Sequence, residues 1–276
     1  MQVLGLDFTS APSSRKPITV AHCDYALQTL RLTSLATLPD FGSFEAQLRS
    51  DSPWVAAIDF PFGQPLQLVK DLSWPTDWPG YVSKVASMPK VEFVGLLERY
   101  KARQPKGHKH LYRVGDKAAR ACSPMTLNYT PVGKMFFEGA PRLLQSPCSI
   151  LPCRPNQDPR IVLEAYPGIL LQSLFGKKPK YKADDKKRQT SDRRRNRARI
   201  ITALQSTAPS RYGFAVGLSP SQGADMVNDG TGDTLDALLC AVQAAWAYSM
   251  RDRDWGIPAH ADPVEGWIVD PALYQP

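Results

Sequence analysis

Three short apolar runs in this chain each end at an acidic residue. Residues 3–6 precede Asp7, residues 54–58 precede Asp59, and residues 161–163 precede Glu164. Runs of this length and composition predict buried β-strands. Because open α/β sheets place their ligand sites at the carboxyl ends of the strands, we expect the three acids at one edge of a sheet.

Two further acids begin a strong helical pattern. Asp233 and Asp236 are three residues apart and share one face of a predicted helix over residues 233–250. Burying an unpaired carboxylate is costly, so both are expected to face a metal ion, a basic side chain or solvent at the helix start. Asp233 has the alternative role of capping that helix.

Charge repulsion follows if these five acids converge. Like charges raise one another's pKa, and a bound divalent cation is the usual way in which a protein keeps such a cluster ionised. The sequence therefore predicts a metal-dependent hydrolase with a Mg²⁺ or Mn²⁺ site. Its predicted metal ligands are Asp7, Asp59, Glu164, Asp233 and Asp236.

The overall composition predicts a protein with a substantial core. With 276 residues, 43% of them hydrophobic, we expect one domain over residues 1–276. The amino terminus lacks the basic and apolar regions of a signal peptide, and residues 235–250 are fewer than the roughly 20 that a membrane span needs. A cytoplasmic protein without membrane contact is therefore expected. The five cysteines lack zinc-finger spacing and are expected to be reduced.

Positive charge is concentrated in one segment. The formal net charge is +8, and residues 177–199 alone hold twelve Lys or Arg against three Asp. Such a basic segment suits a polyanion, although a solvated helix face or a mobile arm is the alternative. Beside an acidic metal centre, it favours nucleic acid, since flanking cations are needed to hold a phosphate backbone. The predicted nucleic-acid-binding residues are Lys182, Lys186, Arg193, Arg194 and Arg197.

The predicted elements alternate between strands and helices, which indicates an α/β protein. Strands are expected at 3–8, 18–23, 25–32, 54–59 and 161–165, the second and third as a hairpin, and helices at 44–48, 168–175 and 233–250. Residues 62–159 are rich in proline, with one clear helical segment at 91–103, and are expected to form an insertion that walls the site. Residues 265–270 predict a closing edge strand or a strap.

Four motifs resemble those of a ribonuclease H-like group of predicted nucleases, domain of unknown function family 429. They are residues 5–10, 58–63, 164–167 with the later Tyr181-Lys182, and 233–237. Phe60 and Gly168 stand where small, alanine-like residues are expected. The resemblance, which spans most of the chain, implies a five-stranded mixed sheet with helices on its faces. By likeness to resolvases and ribonuclease H, it also implies phosphodiester hydrolysis by two metal ions.

The hypothesis is a nuclease in which Asp7 bridges two Mg²⁺ or Mn²⁺ ions, about 3.5 to 4 Å apart. Asp59, Glu164 and Asp236 complete the predicted catalytic set. Structural alternatives are a turn-forming acid for Asp7, a cap for Asp59, and a partner of a helix amino terminus for Glu164. Two other functions stay open: a non-catalytic nucleic-acid-binding protein on the same fold, and an enzyme acting on a small phosphorylated molecule. The sequence does not distinguish DNA from RNA.

Overall fold

Seven strands form one mixed sheet in the computed structural model, which describes residues 1–51 and 53–274. The order across the sheet is β5-β6-β4-β1-β2-β3-β7, so the first strand of the chain lies at its centre. The strands are β1 (Gln2–Asp7), β2 (Ile18–Ala26), β3 (Thr29–Leu38), β4 (Trp54–Ile58), β5 (Ser149–Ile150), β6 (Ile161–Glu164) and β7 (Ala215–Gly217).

Strands β1, β4 and β6 run parallel to one another. Leu6 of β1 lies opposite Ile58 of β4, and Ile58 lies opposite Glu164 of β6. β2 runs antiparallel to both β1 and β3, which makes the sheet mixed. Because the three parallel strands end at the same edge, the acids at or after their last residues lie side by side.

The sheet departs from the sequence prediction in strand number and in the position of its hairpin turn. β5 and β7, at opposite edges, are only two and three residues long and too short to show a periodic pattern. The hairpin turns at Leu27 and Gln28, with φ angles of 49° and 53°, instead of near Asp24. Two left-handed residues suit a two-residue hairpin, but Leu-Gln lacks the Asn-Gly type of signal that reveals such turns.

Ten α-helices cover the two faces of the sheet within the described residues. The predicted helices at 44–48, 91–103, 168–175 and 233–250 correspond to the first, fourth, seventh and tenth. The helices are α1 (Phe41–Leu48), α2 (Leu66–Asp71), α3 (Trp78–Ala86), α4 (Lys90–Ala102), α5 (Val114–Ala119), α6 (Val132–Gln145), α7 (Pro167–Phe175), α8 (Ser191–Tyr212), α9 (Pro220–Asn228) and α10 (Asp233–Ser249).

The proline-rich residues 62–159 hold five of these helices, where the sequence predicts one. Several prolines stand at helix starts, where the missing N–H has no intrahelical partner to lose. Pro65, Pro89 and Pro131 directly precede α2, α4 and α6, and Pro79 lies in the first turn of α3. These prolines therefore mark helix starts and do not make the segment irregular.

Two hydrophobic layers lie on the faces of the sheet. α7, α8 and α10 pack on one face, and α1, α2, α3, α4 and α6 pack on the other. α10 approaches β1 at Gly5, where an added Cβ would lie 2.0 Å from the carbonyl oxygen of Ala237. Only glycine permits that approach, which brings the first turn of α10 beside the end of β1.

Residues 265–270 form a strap and not a full strand. Ile268 makes a single bridge to Glu164, and the N–H of Val269 donates to the carbonyl of Glu164 at 3.0 Å. The strap closes the sheet edge next to β6. Within the described residues, every helix falls short of the length or the hydrophobicity required to cross a membrane.

Candidate active site

All five predicted metal ligands line one cleft of about 820 Å³ at the carboxyl edge of the sheet. Asp7 is the last residue of β1. Asp59 follows β4, and its backbone N–H donates to the carbonyl of Leu6 at 3.0 Å, which continues the pairing of the two strands. Asp233 and Asp236 lie in the first turn of α10. Neighbouring strands and one closely packed helix therefore bring these acids together.

Asp7 and Asp59 are crowded by negative charge. Their carboxylates accept no hydrogen bond from any other described residue. Burial raises the pKa of Asp7 well above its usual value; three neighbouring carboxylates add to the rise and Lys182 opposes it. Burial, together with nearby carboxylates, raises the pKa of Asp59 to about 7 despite Lys182. The protein alone therefore does not balance the charge of this cluster.

Asp236 is the one aspartate of the cluster whose carboxylate has hydrogen-bond partners among the described residues. It is fully buried and accepts hydrogen bonds from the hydroxyl of Tyr181 and from Nζ of Lys182. The Lys182 side chain is 44% exposed, so its ammonium group connects the buried start of α10 with the open cleft. Burial also raises the pKa of Asp233, against the effects of Lys16 and Lys182. Lys182 thus compensates part of the charge of the cluster.

Glu164 belongs to a separate buried network. Its carboxylate accepts from Nη1 and Nη2 of Arg113 at 2.7 and 2.6 Å, and from the N–H of Phe62 at 2.9 Å. Arg113 is also held by Asp116, at 2.9 and 2.6 Å. All three charged side chains are at most 2% exposed. Glu164 therefore anchors the segment that follows Asp59, a role different from the metal ligand or helix-terminus partner considered from the sequence.

Basic side chains surround the acidic centre. Lys178 lies over the ring of Tyr166, 4.4 Å from its centroid, and Lys16 forms an ion pair with Asp184. A cleft with an acidic centre and a basic rim suits a substrate that carries several phosphates. The basic residues that line it are Lys16, Lys178, Lys180, Lys182 and Arg193, together with the buried Arg113.

The predicted nucleic-acid-binding residues occupy different positions. Lys182 and Arg193 line the cleft, and the side chain of Arg193 donates to the backbone carbonyl of Lys182. Lys186 and Arg194 are exposed but lie outside the cleft lining. The basic segment thus contributes to the cleft mainly through residues 178–182 and the start of α8.

Arg197 is not part of an exposed binding surface. It is 3% exposed and donates to the carbonyl oxygens of Tyr181 and Val227 at 2.6 and 2.9 Å. In α8 it shares a face with the buried Ile200 and Leu204, three and seven residues further on. Its guanidinium therefore supports the Tyr181-Lys182 segment from behind, in contrast to the binding role that the sequence predicts.

Sequence reasoning missed several contributors to the cleft. Lys16 follows a serine-rich loop with no periodic pattern, and Tyr166 has no role assigned to it within the motif at residues 164–167. Lys178 lies in the basic segment but has no feature that separates it from its neighbours. Arg113 belongs to a basic loop in sequence, and its partner Glu164 is 51 residues away, so no local signal reveals their pairing.

Metal coordination is not preformed in the described part of the chain, where no group of three or more His, Cys, Asp or Glu side chains is arranged to hold an ion. The chemistry of the donors nevertheless fits a hard divalent cation, because Mg²⁺ and Mn²⁺ prefer carboxylate oxygens. The uncompensated carboxylates of Asp7 and Asp59 also fit a cation by charge. Glu164 is already engaged by Arg113, which leaves the four aspartates as the candidate ligands.

The cleft therefore combines aspartates at its centre, the buried pair of Arg113 and Glu164, and basic side chains at its rim. No family model, curated protein or solved structure matches the chain.

Proposed function

We propose that the chain is a metal-dependent nuclease that hydrolyses phosphodiester bonds of DNA or RNA. The observation that carries this proposal is the meeting of Asp7, Asp59 and Asp236 in one cleft with a basic rim. The acids suit a divalent cation, and the lysines and arginines suit the phosphates of a substrate. Either feature alone has ordinary structural explanations; together they suit metal-dependent chemistry on a polyanion.

We also propose that the core of the fold is ribonuclease H-like. The five longest strands, β1 to β4 and β6, form a mixed sheet with helices on both faces, the arrangement that the motif resemblance implies. In this interpretation the short strands β5 and β7 extend the sheet, and the helices of residues 62–159 are an elaboration around the cleft. The resemblance in four motifs and the sheet architecture support this assignment independently of each other.

Asp7, Asp59, Asp233 and Asp236 would hold the Mg²⁺ or Mn²⁺ ions, of which we propose two. When bound, the ions activate the attacking water and stabilise the leaving oxygen. Asp7 is the central ligand in this proposal, because the charges of the three other aspartates all act on it. The four carboxylates must draw together around the ions, and the lack of hydrogen bonds to Asp7 and Asp59 leaves these two free to do so.

The residues around the four aspartates bind the substrate or hold the aspartates in position. Lys178, Lys180 and Arg193 lie in the cleft lining, where their charges can hold backbone phosphates on either side of the scissile bond. The buried pair of Arg113 and Glu164 fixes the segment after β4 and therefore the position of Asp59. Glu164 is thus a positioning residue and not a ligand in this proposal.

Cleavage of labelled single-stranded and duplex DNA and RNA, with Mn²⁺ or Mg²⁺, tests the proposal. We expect the wild type to cut at least one of these substrates and Asp7→Asn to cut it about 10²- to 10³-fold more slowly, the usual loss when a central electrostatic group is removed. Asp24→Asn is the matched control, because Asp24 is an exposed acid on the neighbouring strand β2. Undiminished cleavage by Asp7→Asn contradicts the site, and inactivity of the wild type on all four substrates favours a non-catalytic nucleic-acid-binding protein.

An enzyme acting on a small phosphorylated molecule is the second candidate. The volume of the cleft, about 820 Å³, lies in the range of small-ligand pockets. Calorimetric titration with nucleoside mono-, di- and triphosphates distinguishes the two. Saturable binding of a nucleotide, combined with inactivity on nucleic acids, favours the second candidate over the nuclease.

A further inference from the structure

Tyr129 lies between the acidic cleft and a second groove. It lines the cleft on one side, where Thr130 and Pro131 continue the lining, and a groove of about 400 Å³ on the other. The second groove is also lined by Lys101, Lys109 and His110 at the end of α4 and the loop after it. The two cavities therefore meet at one aromatic residue.

The second groove carries positive charge. Its lining holds two lysines, Lys101 and Lys109, against one acid, Glu98. Within the groove, Glu98 forms an ion pair with Lys101 at 2.8 Å. Lys109 and His110 are exposed, and Lys109 forms no ion pair with any described residue. The groove thus offers an uncompensated cation next to a cleft whose centre is acidic, a charge distribution that suits a phosphate backbone leading toward the proposed metal site.

Tyr129 is unusual in the exposure of its side chain and in its backbone conformation. Its side chain is fully exposed, although a tyrosine ring is usually at least partly buried. Its backbone is in the left-handed region, with φ at 62°, where residues other than glycine are strained. Left-handed residues occur in ordinary turns, as at Leu27 and Gln28, and also cluster at ligand-binding segments. An aromatic ring held in water beside a basic groove has the properties of a stacking surface for a base.

We infer that Tyr129 and the second groove form an accessory subsite for an unpaired nucleic-acid strand, in which a base stacks on Tyr129 and Lys109 contacts the adjoining phosphate. This inference deepens the proposed nuclease function by naming its substrate class as single-stranded nucleic acid. Duplex is disfavoured because its base faces are already stacked within the helix and cannot cover the ring. The strand passes from this subsite past Tyr129 into the acidic cleft.

Binding measurements in EDTA test the subsite without metal binding or cleavage. Fluorescence anisotropy is recorded for a labelled single strand of about 16 nucleotides, the upper end of common single-strand site sizes, and for its duplex. We expect Tyr129→Ala to weaken binding of the single strand about 5- to 100-fold, the usual effect of removing a stacking residue, and to change duplex binding by less than about 2-fold. Tyr129→Trp should retain single-strand binding, because it restores an aromatic face.

Tyr112→Ala is the control, because Tyr112 is 43% exposed and lines neither cavity. Unchanged single-strand binding by Tyr129→Ala overturns the inference. The same holds for equal losses with single strand and duplex, for an equal loss in Tyr112→Ala, and for failure of the wild type to bind single strands. If Tyr129→Ala loses single-strand binding but the wild type cuts no nucleic acid with Mn²⁺, the subsite is supported and the nuclease function is refuted. Failure of the subsite and failure of the nuclease function are therefore distinguishable.

Discussion

Two groups of carboxylates lie at the same edge of the sheet and differ in how they are compensated. Asp116 and Glu164 enclose the buried Arg113, and both form hydrogen-bonded ion pairs with it. Asp7 and Asp59 have no such partner and are repelled by their neighbours. A buried ion pair with satisfied hydrogen bonds is a structural element, whereas uncompensated acids that open to a cleft are available to a ligand. Compensation by Arg113, more than burial, distinguishes Asp116 and Glu164 from Asp7 and Asp59.

The largest effect on stability is expected in the buried group formed by Arg113, Asp116 and Glu164. Glu164→Ala leaves Arg113 buried with one partner instead of two, and we expect the free energy of unfolding to fall by about 3–5 kcal/mol. Glu92→Ala, at an exposed acid in the first turn of α4, is the control and should change it by less than about 0.5 kcal/mol. Urea denaturation measures both. A Glu164→Ala protein as stable as the wild type contradicts the structural role of this pair.

The contact between α10 and β1 sets the position of the α10 acids, Asp233 and Asp236, relative to Asp7. A methyl group at Gly5 would meet the backbone of Ala237 at 2.0 Å, so the helix must shift away from the strand. We expect Gly5→Ala to lower the free energy of unfolding by about 1–3 kcal/mol and to reduce cleavage, because the α10 acids move relative to Asp7.

Gly223→Ala is the matched control, since an added Cβ there meets nothing within 4 Å and lies in α9. It should leave cleavage unchanged and stabilise the protein by about 0.5–1 kcal/mol, the usual gain from alanine in a helix. Full activity and stability of Gly5→Ala would show that the close approach of α10 does not position the site.

The smallest expected effect is the pH dependence of stability that Asp59 causes. The pKa of Asp59 is about 7 in the folded protein against 3.8 for an ordinary aspartate, so the folded state binds more protons between these values. Asp59 therefore makes the metal-free wild type less stable as the pH rises from about 4 to about 7, and the effect of this residue then levels off. The Asp59→Asn variant lacks this pH-dependent loss of stability. Above pH 7 its free energy of unfolding should exceed that of the wild type by about 1 kcal/mol after allowance for solvent screening.

Thermal unfolding across this pH range, in the presence of EDTA, measures the effect. Asp24→Asn, at an exposed acid, should follow the wild type at every pH. If Asp59→Asn loses stability above pH 7 relative to the wild type, Asp59 is compensated within the protein and the contrast between the two groups fails.

The sequence predicts the positions of the acids in the cleft better than it predicts their partners. Short apolar runs predict the positions of Asp7, Asp59 and Glu164, because parallel strands have their carboxyl ends at the same edge of the sheet, and helical periodicity predicts the position of Asp236. The partner of Glu164 is not visible, since Arg113 is 51 residues away and belongs to a different element. Arg197 is different, because its spacing from Ile200 and Leu204 indicates the buried face of α8 and could have excluded it from the binding surface.

Calorimetric titration with Mn²⁺ at a pH of about 8, where exposed carboxyls are ionised, tests the central claim most directly. The account predicts saturable uptake of up to two ions per chain by the wild type and by Asp24→Asn, and a large loss of affinity in Asp7→Asn. Absence of uptake by the wild type at millimolar Mn²⁺, or unchanged uptake by Asp7→Asn, would contradict the claim that the uncompensated aspartates form a metal site.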